Sequence, residues 1–361
     1  MAFWQRAAMR HLAHGRGQLT RYGDPRGLLA LREAIADHLS ATRGMAVKAD
    51  QVMVTAGIQG ALNVLARIFF TGHARASVAV ENPGYQGAAH LFSSYGARLF
   101  PVRVDEHGLV VAELGQFTGS LVYVTPSHQF PTGVTMTLDR RLLLLDWAYR
   151  TGSYIIEDDY DSDFRYDGPP LTALAGIDKR GWVIYLGTFS KSIGAGMRIG
   201  YAVLPPHLVE QAVIAKALQD HGAPWLEQVV LADFISGGGF LRHLRQIRRS
   251  YKATRDALVA SIRRHFPGSS LCGQECGMHM IWTLPPKFPT AREVQRLALG
   301  VGVGLYPLPD AAVYQAGRNP RWEHSLVVGY AALSEDEVRL AVARVAAALA
   351  TVLAPPATKR K

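Results

Sequence analysis

The sequence has little cysteine and no long run of apolar residues. Two cysteines among 361 residues agree with a reducing compartment. Apolar runs such as those at 121–125 and 142–145 are far shorter than the roughly 20 residues that a membrane-spanning helix needs. The N-terminal segment lacks the continuous apolar stretch of a signal peptide. We therefore expect a cytoplasmic protein without a membrane span.

The two cysteines do not predict a metal site. Cys272 and Cys276 lie four residues apart, and His279 follows them. A zinc site needs about four ligands at characteristic spacings, and a second pair is missing here. We therefore expect no bound metal.

The net charge of +10 raises the question of nucleic-acid binding. Eight Lys and Arg residues crowd the segment 242–264, but its leucines, isoleucines and tyrosine recur at spacings of three, four and seven. That periodicity predicts a long amphipathic helix with a solvated basic face. Because no zinc finger, RNA-binding signature or helix-turn-helix pattern accompanies the cluster, nucleic-acid binding is the less favoured interpretation.

Strand and helix patterns alternate through the middle of the chain, which predicts an α/β fold: a three-layer, mostly parallel sheet covered by helices on both faces. Predicted strands lie at 78–81, 97–102, 121–125, 154–158, 182–187 and 199–204. In such sheets the chemistry lies in loops at the carboxyl ends of the strands. Three consecutive glycines at 237–239 interrupt the pattern. We predict an N-terminal arm and small-domain segment at 1–40, a large domain at 41–236, a smaller C-terminal α+β domain at 237–352 and a disordered tail at 353–361.

The loop after one predicted buried strand carries a lysine among hydroxyls and an arginine. Its sequence, GTFSKSIGAGMRIGY, spans residues 187–201. A lysine at a strand end can be desolvated and kept partly neutral, as an amine must be to form an imine with an aldehyde. Thr188 and Ser190 offer hydroxyls, and Arg198 offers a planar fork suited to a phosphate. Lys191 and these neighbours suit an aldehyde cofactor that carries a phosphate.

Two further segments agree with such a cofactor. IIEDDYDSDFRY at 155–166 places five acidic residues within seven positions, which is unfavourable unless a cation lies among them. A pyridinium nitrogen is one such cation, and magnesium or calcium is the alternative, although the layout of an EF-hand is absent. TAGIQGAL at 55–62 is a glycine-containing turn that leads into a helix, where backbone N–H groups can bind a phosphate.

Together these segments resemble a known family. With YGDPRG at 22–27, LREAIADHL at 31–39, ENPGYQG at 81–87 and TPSHQFPTG at 125–133, the sequence is similar to fold-type-I aminotransferases, which depend on pyridoxal 5'-phosphate. More narrowly, it resembles the aminotransferase-like half of MocR-type regulators of the GntR group. The resemblance covers about residues 20–350 in the family's order and is loosest in the C-terminal third.

The resemblance implies roles for the ring-binding residues. Lys191 would form the Schiff base with the cofactor and carry the proton between Cα and the cofactor. Asp158 would pair with the pyridine nitrogen, Tyr160 would hydrogen-bond the phenolic oxygen of the ring, and Tyr85 would stack on the ring face.

The phosphate contacts are implied in the same way. Arg198, Thr188, Ser190 and the backbone of Gly57 and Ile58 would hold the phosphate group. Tyr22 resembles a tyrosine that reaches the phosphate of the neighbouring subunit, which implies a homodimer with shared active sites.

The sequence departs from the family pattern at two positions of the site. Where many members have Asn in an NPTG turn, this chain has Phe130, so we expect His128 or Gln129 to serve the ring oxygen. Where many members bind the substrate carboxylate with an arginine in a run like RLGF, this chain has Val327. Ordinary recognition of an α-carboxylate is therefore not predicted.

The start of the chain is a third departure. The chain begins where the aminotransferase-like half of the regulators begins, without their winged helix-turn-helix domain. Either that domain was never present, or the chain is a fragment.

Three functions follow as expectations. The first is transamination of a small-molecule amino acid or amine. The second is another carbanion reaction, such as elimination, replacement or C–C bond formation. The third is a ligand-sensing domain in which cofactor and ligand shift a conformational equilibrium. Nucleic-acid binding is not expected without a separate DNA-binding domain.

Overall fold

A computed structural model describes residues 2–73, 76–168, 171–317 and 319–353. The helices are α1 Ala2–His14, α2 Leu29–Arg43, α3 Gly57–Phe70, α4 Gln86–Ser94, α5 Leu138–Thr151, α6 Leu174–Ile177, α7 Val209–Asp220, α8 Trp225–Ser236, α9 Gly239–His265, α10 Ala291–Gly300 and α11 Glu335–Leu353. The strands are β1 Val52–Thr55, β2 Ser77–Asn82, β3 Gly84–Tyr85, β4 Arg98–Asp105, β5 Gly108–Leu109, β6 Leu121–Val124, β7 Tyr154–Asp158, β8 Val183–Thr188, β9 Gly200–Val203, β10 Ser270–Cys272, β11 His279–Thr283, β12 Tyr306–Pro307, β13 Val313–Tyr314 and β14 Ser325–Gly329.

An eight-stranded sheet with the order β1-β9-β8-β7-β6-β2-β4-β5 forms the middle layer. Strands β8, β7, β6, β2 and β4 run parallel to their neighbours in that order. Strand β9 is antiparallel to both β8 and β1, and β5 forms a hairpin with β4. The predicted mostly parallel sheet is confirmed. All five parallel strands end at one edge, which collects the loops after β6, β7 and β8.

The central strands are apolar on both faces, as expected for a sheet that helices cover on both sides. Successive residues point to opposite faces: Ile156 packs in a core with α3, α4 and α7, whereas Ile155 packs in a second core with α5. A third core joins α2 and α8 to β1 and β9. The three-layer architecture is therefore confirmed.

A smaller antiparallel sheet with the order β10-β11-β14-β12 follows in the chain. Helices α9, α10 and α11 pack on it around Trp282 and Ile262. Helix α9 is the predicted basic amphipathic helix. Leu244 and Leu258 are buried on its inner face, whereas Arg263 and Arg264 are exposed.

The N-terminal helix α1 packs on α8. The rings of Phe3 and Trp4 lie 5.0 and 5.7 Å from the ring of Phe234, and Arg10 forms an ion pair with Asp233. Helix α2 shares its core with the large sheet. The predicted domain boundaries stay a prediction, and the predicted tail beyond residue 353 lies outside the described residues. Among the described helices, none combines the length and apolarity that a membrane crossing requires.

Candidate active site

A cavity of about 280 Å³ opens at the carboxyl ends of β6, β7 and β8, where β11 of the smaller sheet faces them. Eight of the predicted site residues line it: Ile58, Tyr85, Asp158, Tyr160, Thr188, Ser190, Lys191 and Arg198. Four distant segments of the sequence therefore meet in one place. Among the predicted residues, Gly57, His128 and Tyr22 are not in the lining.

One end of the cavity is built to receive an anion. Helix α3 begins at Gly57, and no side chain caps its first N–H groups, which therefore remain available to a ligand. The guanidinium of Arg198 lies over Gly57: a Cβ there would be 3.1 Å from Nη2. Gly57 has φ +70, which a residue with a side chain rarely adopts. The geometry suits a phosphate held between a helix N-terminus and a guanidinium.

Close packing behind this end depends on a second glycine. A Cβ on Gly200, the first residue of β9, would lie 2.8 Å from the Gly57 backbone. Arg198 itself has φ 53, a left-handed conformation that is strained for a residue with a side chain and is typical of functional sites. Within the described ranges, its one hydrogen bond runs from Nη2 to the carbonyl of Ala56 at 3.3 Å, and it has no carboxylate partner.

Lys191 lies in a loop whose two ends are fixed. Thr188 pairs with Gly200 across β8 and β9, and the Thr188 hydroxyl accepts from the backbone N–H of Ser190 at 3.1 Å. The Lys191 side chain is exposed at the cavity wall. The fold thus presents an amine near the anion end, held by a rigid hairpin.

Asp158, the last residue of β7, is the clearest ligand-seeking group of the cavity. Its Oδ2 accepts a hydrogen bond from Tyr123, whereas Oδ1 is buried and has no partner in the described part of the chain. Burial raises the pKa of Asp158 to about 7, and the hydrogen bond from Tyr123 only partly opposes this. A protonated ring nitrogen at Oδ1 would satisfy that oxygen and favour the ionised carboxylate. This orphaned oxygen fits pyridoxal phosphate.

The other acidic residues of the same loop have partners inside the protein. Asp159 binds Arg43 at 2.7 Å, and Asp161 contacts Nδ1 of His128 at 2.7 Å. Glu157 accepts two backbone N–H groups at the start of α6, both at 2.8 Å. The partners of these carboxylates are side chains and backbone N–H groups of the protein itself. The alternative of a bound magnesium or calcium ion therefore gains no support. Within the described ranges, His128, Asp161 and His279 are the one group whose potential metal-ligand atoms lie within 4.8 Å of one another, and neither cysteine belongs to it.

The residues proposed to replace the missing asparagine lie behind the cavity. Gln129 is buried, and its amide nitrogen donates to Glu81 and to the carbonyls of Pro83 and Phe130. Its carbonyl oxygen accepts from Thr132, so Gln129 has no group left for a ligand. His128 is also buried, and it contacts the cavity only through its neighbours, as Tyr160 lies 3.2 Å from Nδ1.

Tyr85 is held on the wall by two contacts. Its hydroxyl accepts a hydrogen bond from Gln59 at 3.0 Å, and its ring meets Phe130 edge-on at 5.9 Å between centroids. The short strand β3 that carries Tyr85 pairs with β13. An aromatic face so fixed can support a planar ring.

Sequence reasoning missed several lining residues, namely Gln59, Tyr123, Thr125, Phe130, Asp161, Ala195, Met278 and His279. Tyr123 lies within an apolar strand, which predicts a position in the core. Its hydroxyl lies one residue before the end of that buried strand, and this could have identified it as a site residue. Met278 and His279 come from the second sheet, whose approach no local pattern predicts. Burial lowers the pKa of His279 to about 4, so this imidazole is neutral near pH 7.

Two predicted positions lie apart from the cavity. Tyr22 is 92% exposed, so its predicted contact with a neighbouring subunit stays a prediction. Val327 is buried in an apolar cluster with Ile281, Leu308 and Val313, and it offers no polar group to a substrate.

The chain is similar to both enzymes and regulators. The sequence model described as aminotransferase class I and II matches residues 2–345. The probable rhizopine catabolism regulatory protein MocR of Rhizobium meliloti is 36% identical over 341 residues, which cover 93% of this chain and 67% of that protein. Aromatic-amino-acid aminotransferase 1 of Thermococcus litoralis is 30% identical over 339 residues, which cover 91% and 79% of the two chains.

The fold is shared with a solved enzyme complex. The crystal structure of Pyrococcus horikoshii kynurenine aminotransferase, in complex with PMP, superposes with a TM-score of 0.84 at 27% identity and covers 98% of this chain and 88% of that one. The chain belongs to the class I and II aminotransferase family, and its cofactor is pyridoxal 5'-phosphate.

Proposed function

We propose that the protein transaminates an amino acid or a primary amine. The observation that carries the proposal is the orphaned Oδ1 of Asp158, which is buried at the cavity that Lys191 and Arg198 also line. Bound pyridoxal phosphate supplies an aldehyde that takes the substrate amine and a ring that withdraws electrons from Cα.

The chain's own residues divide the remaining work. Arg198, Thr188 and Ser190 bind the phosphate with the first N–H groups of α3. Asp158 keeps the proton on the ring nitrogen, because an adjacent carboxylate favours the cationic form. Lys191 would hold the cofactor through its Nζ. When a substrate amine occupies the site, the freed Nζ would act as the base that accepts the proton from the substrate Cα and then gives it back.

The substrate end of the cavity favours an apolar or aromatic side chain. The cavity lining includes Phe130 and Met278, together with His279, which is neutral near pH 7 because burial lowers its pKa to about 4. An aromatic substrate would pack on these rings. The similarity to an aromatic-amino-acid aminotransferase and to a kynurenine aminotransferase supports this preference.

The test is turnover with a panel of amino donors. The protein is loaded with pyridoxal phosphate, supplied with an acceptor keto acid, and incubated with aromatic, aliphatic and acidic amino acids and with primary amines. We expect deaminated product in excess of enzyme, greatest for aromatic donors, and none with Lys191→Ala. Failure of every donor to exceed one turnover would contradict the proposal.

A ligand-sensing role is the second candidate, because the chain is 36% identical to a regulatory protein and has Val327 in an apolar cluster. A sensor would bind an amine and change the cofactor spectrum without releasing product. The same panel, read by absorbance and by product, separates the two roles.

A further inference from the structure

The side chains of His128 and Asp161 form a buried pair that backbone surrounds closely. The two side chains are 0% and 2% exposed, and their contact is 2.7 Å. Gly277 has φ +82, and a Cβ there would lie 2.2 Å from Cε1 of His128. A Cβ on Gly133 or on Gly273 would lie 3.1 Å from Nε2. Three glycines therefore surround the imidazole and leave room for no other side chain.

Hydrogen-bond capacity decides which ring nitrogen of His128 carries the proton. An ionised carboxylate only accepts hydrogen bonds, so the contact with Asp161 needs a hydrogen on Nδ1. Nε2 is buried and has no partner among the described residues, so a hydrogen there would be an unsatisfied buried donor. Both observations favour the neutral imidazole with its hydrogen on Nδ1.

This tautomer determines where the hydroxyl of Tyr160 can point. Its oxygen lies 3.2 Å from Nδ1, but a protonated Nδ1 cannot accept from it. Tyr160 also lines the cavity, and burial, the largest cause, together with the charge of Asp161 raises the pKa of Tyr160 well above its usual value. The hydroxyl therefore keeps its proton and has the cavity as its free direction.

We propose that His128 and Asp161 form a positioning pair that turns the hydroxyl hydrogen of Tyr160 into the cavity, toward the phenolic oxygen of the cofactor ring. His128 then acts through Tyr160 and does not itself touch the cofactor. The inference rests on the proposed function in one respect, the placement of the cofactor ring beside Tyr160.

The neighbouring titratable groups leave this arrangement intact. The His279 ring lies 4.9 Å from that of His128. Burial and the nearby His128 lower the pKa of His279 to about 4, so it carries no charge near neutral pH. Burial also raises the pKa of Cys276 above its usual range, so the thiol is protonated. Neither group competes with Asp161 for the hydrogen on Nδ1.

The decisive variant is Asp161→Asn, because an uncharged amide is a weaker acceptor than a carboxylate and no longer fixes the hydrogen of His128 on Nδ1. With that hydrogen on Nε2, the single lone pair of Nδ1 can accept from the Tyr160 hydroxyl, which then turns away from the cavity. When the negatively charged phenolic oxygen of the ring loses a hydrogen-bond donor, the protein stabilises that charge less. The Schiff base with Lys191, which shares this oxygen, then loses its proton at a higher pH. We expect the pH midpoint of the bound cofactor's visible absorbance to rise by about one unit in Asp161→Asn and in Tyr160→Phe.

The matched control is Asp163→Asn, the same chemical change two residues away. Asp163 faces His38 at 3.7 Å and contacts neither His128 nor Tyr160 in any recorded hydrogen bond. We expect its midpoint to equal that of the wild type. A rise in Tyr160→Phe with no rise in Asp161→Asn would overturn the positioning pair and leave the role of Tyr160 intact.

A second measurement does not need the cofactor. In the apoprotein, imidazole ¹⁵N shifts, assigned by the signal lost in His128→Gln, report which nitrogen is protonated. We expect Nδ1 protonated in the wild type and Nε2 protonated in Asp161→Asn. An unprotonated Nδ1 in the wild type would refute the inference even if a variant fails to fold. Failure of the wild type to bind pyridoxal phosphate would instead refute the proposed function.

Discussion

The loops after β7 and β8 are neighbours at the cavity, yet they treat charge in opposite ways. After β7, Asp159 and Asp161 are buried and bound to Arg43 and His128. After β8, Lys191 and Arg198 are exposed and form no ion pair with the described carboxylates. The two buried carboxylates after β7 thus have partners in the fold, although Oδ1 of Asp159 has none among the described residues, whereas the two cations after β8 face the cavity unpaired.

Asp158 differs from Asp159, whose Oδ1 is also unpartnered among the described residues, because Asp158 lines the cavity. It belongs to the β7 side, but one of its oxygens is as unpaired as the cations of the β8 side. The contrast suggests a division of labour, in which the β7 side provides a rigid wall and the β8 side provides the attachment points. The following experiments test that division.

Lys191→Ala should have the largest effect. Without the amine, the cofactor aldehyde has no covalent partner, and the proton at Cα has no carrier, so we expect turnover to fall by about 10³-fold or more. Borohydride treatment followed by peptide mass spectrometry should place the reduced cofactor on Lys191 in the wild type. A reduced adduct on another lysine would show that the assignment is wrong.

Asp158→Asn should separate stability from activity. Burial raises the pKa of Asp158 from 3.8 to about 7 in the folded apoprotein. As pH rises, the Asp158 carboxyl therefore loses its proton at a lower pH in the unfolded chain than in the folded protein. The free energy of unfolding consequently falls between about pH 4 and pH 7, by at most about 4 kcal/mol. We expect the apo variant to melt higher than the wild type at pH 8 and alike near pH 4, while its turnover falls by about 10²-fold.

The control for this experiment is Asp146→Asn, which removes an exposed carboxylate that pairs with Arg150. Its melting temperature should follow that of the wild type at both pH values. Equal pH dependence in the wild type and in Asp158→Asn would show that Asp158 is not the buried group responsible.

Arg198→Ala should weaken binding of the cofactor without unfolding the protein. Loss of a charge-assisted contact with the phosphate should raise the Kd for pyridoxal phosphate by about 10- to 100-fold. Arg198→Lys should lie between, because an ammonium cannot match the bidentate fork. Fluorescence titration measures the Kd, and Arg242→Ala on α9, also an exposed arginine, should bind as the wild type does.

Tyr22→Phe should have the smallest effect, a rise of about 2- to 10-fold in the Kd for pyridoxal phosphate. If Tyr22 reaches the partner's site, mixing Tyr22→Phe with Lys191→Ala subunits creates heterodimers with one intact site. Those heterodimers should bind cofactor with the wild-type Kd at that site. Retention of the Tyr22→Phe affinity in the mixture would contradict shared sites.

The sequence allowed prediction of those parts of the site that local chemistry marks. Lys191 and Arg198 follow a buried strand and the hydroxyls of Thr188 and Ser190, and Asp158 ends another such strand. The fold class could also be predicted, because alternating strands and helices permit few arrangements. The structure brings the three residues into one cavity, while their roles stay predictions.

The rest depends on contacts between distant segments. The insertion of β9 between β1 and β8 cannot be read from chain order. His128 was predicted to face the cofactor, but its position behind Tyr160 depends on Gly277, which is more than a hundred residues away. The side chains of Met278 and His279 join the cavity only because the second sheet packs against the first.

The antiparallel β9 has a further consequence for how this protein could be redesigned. It closes the segment from Thr188 to Gly200 into a hairpin, which carries both Lys191 and Arg198, the residues proposed to bind the cofactor. The wall residues Phe130 and Met278 come from other segments. Substitutions in those segments should therefore change substrate selectivity and leave the proposed cofactor-binding residues unaltered. The chain offers a starting point for engineering reactions of other amines.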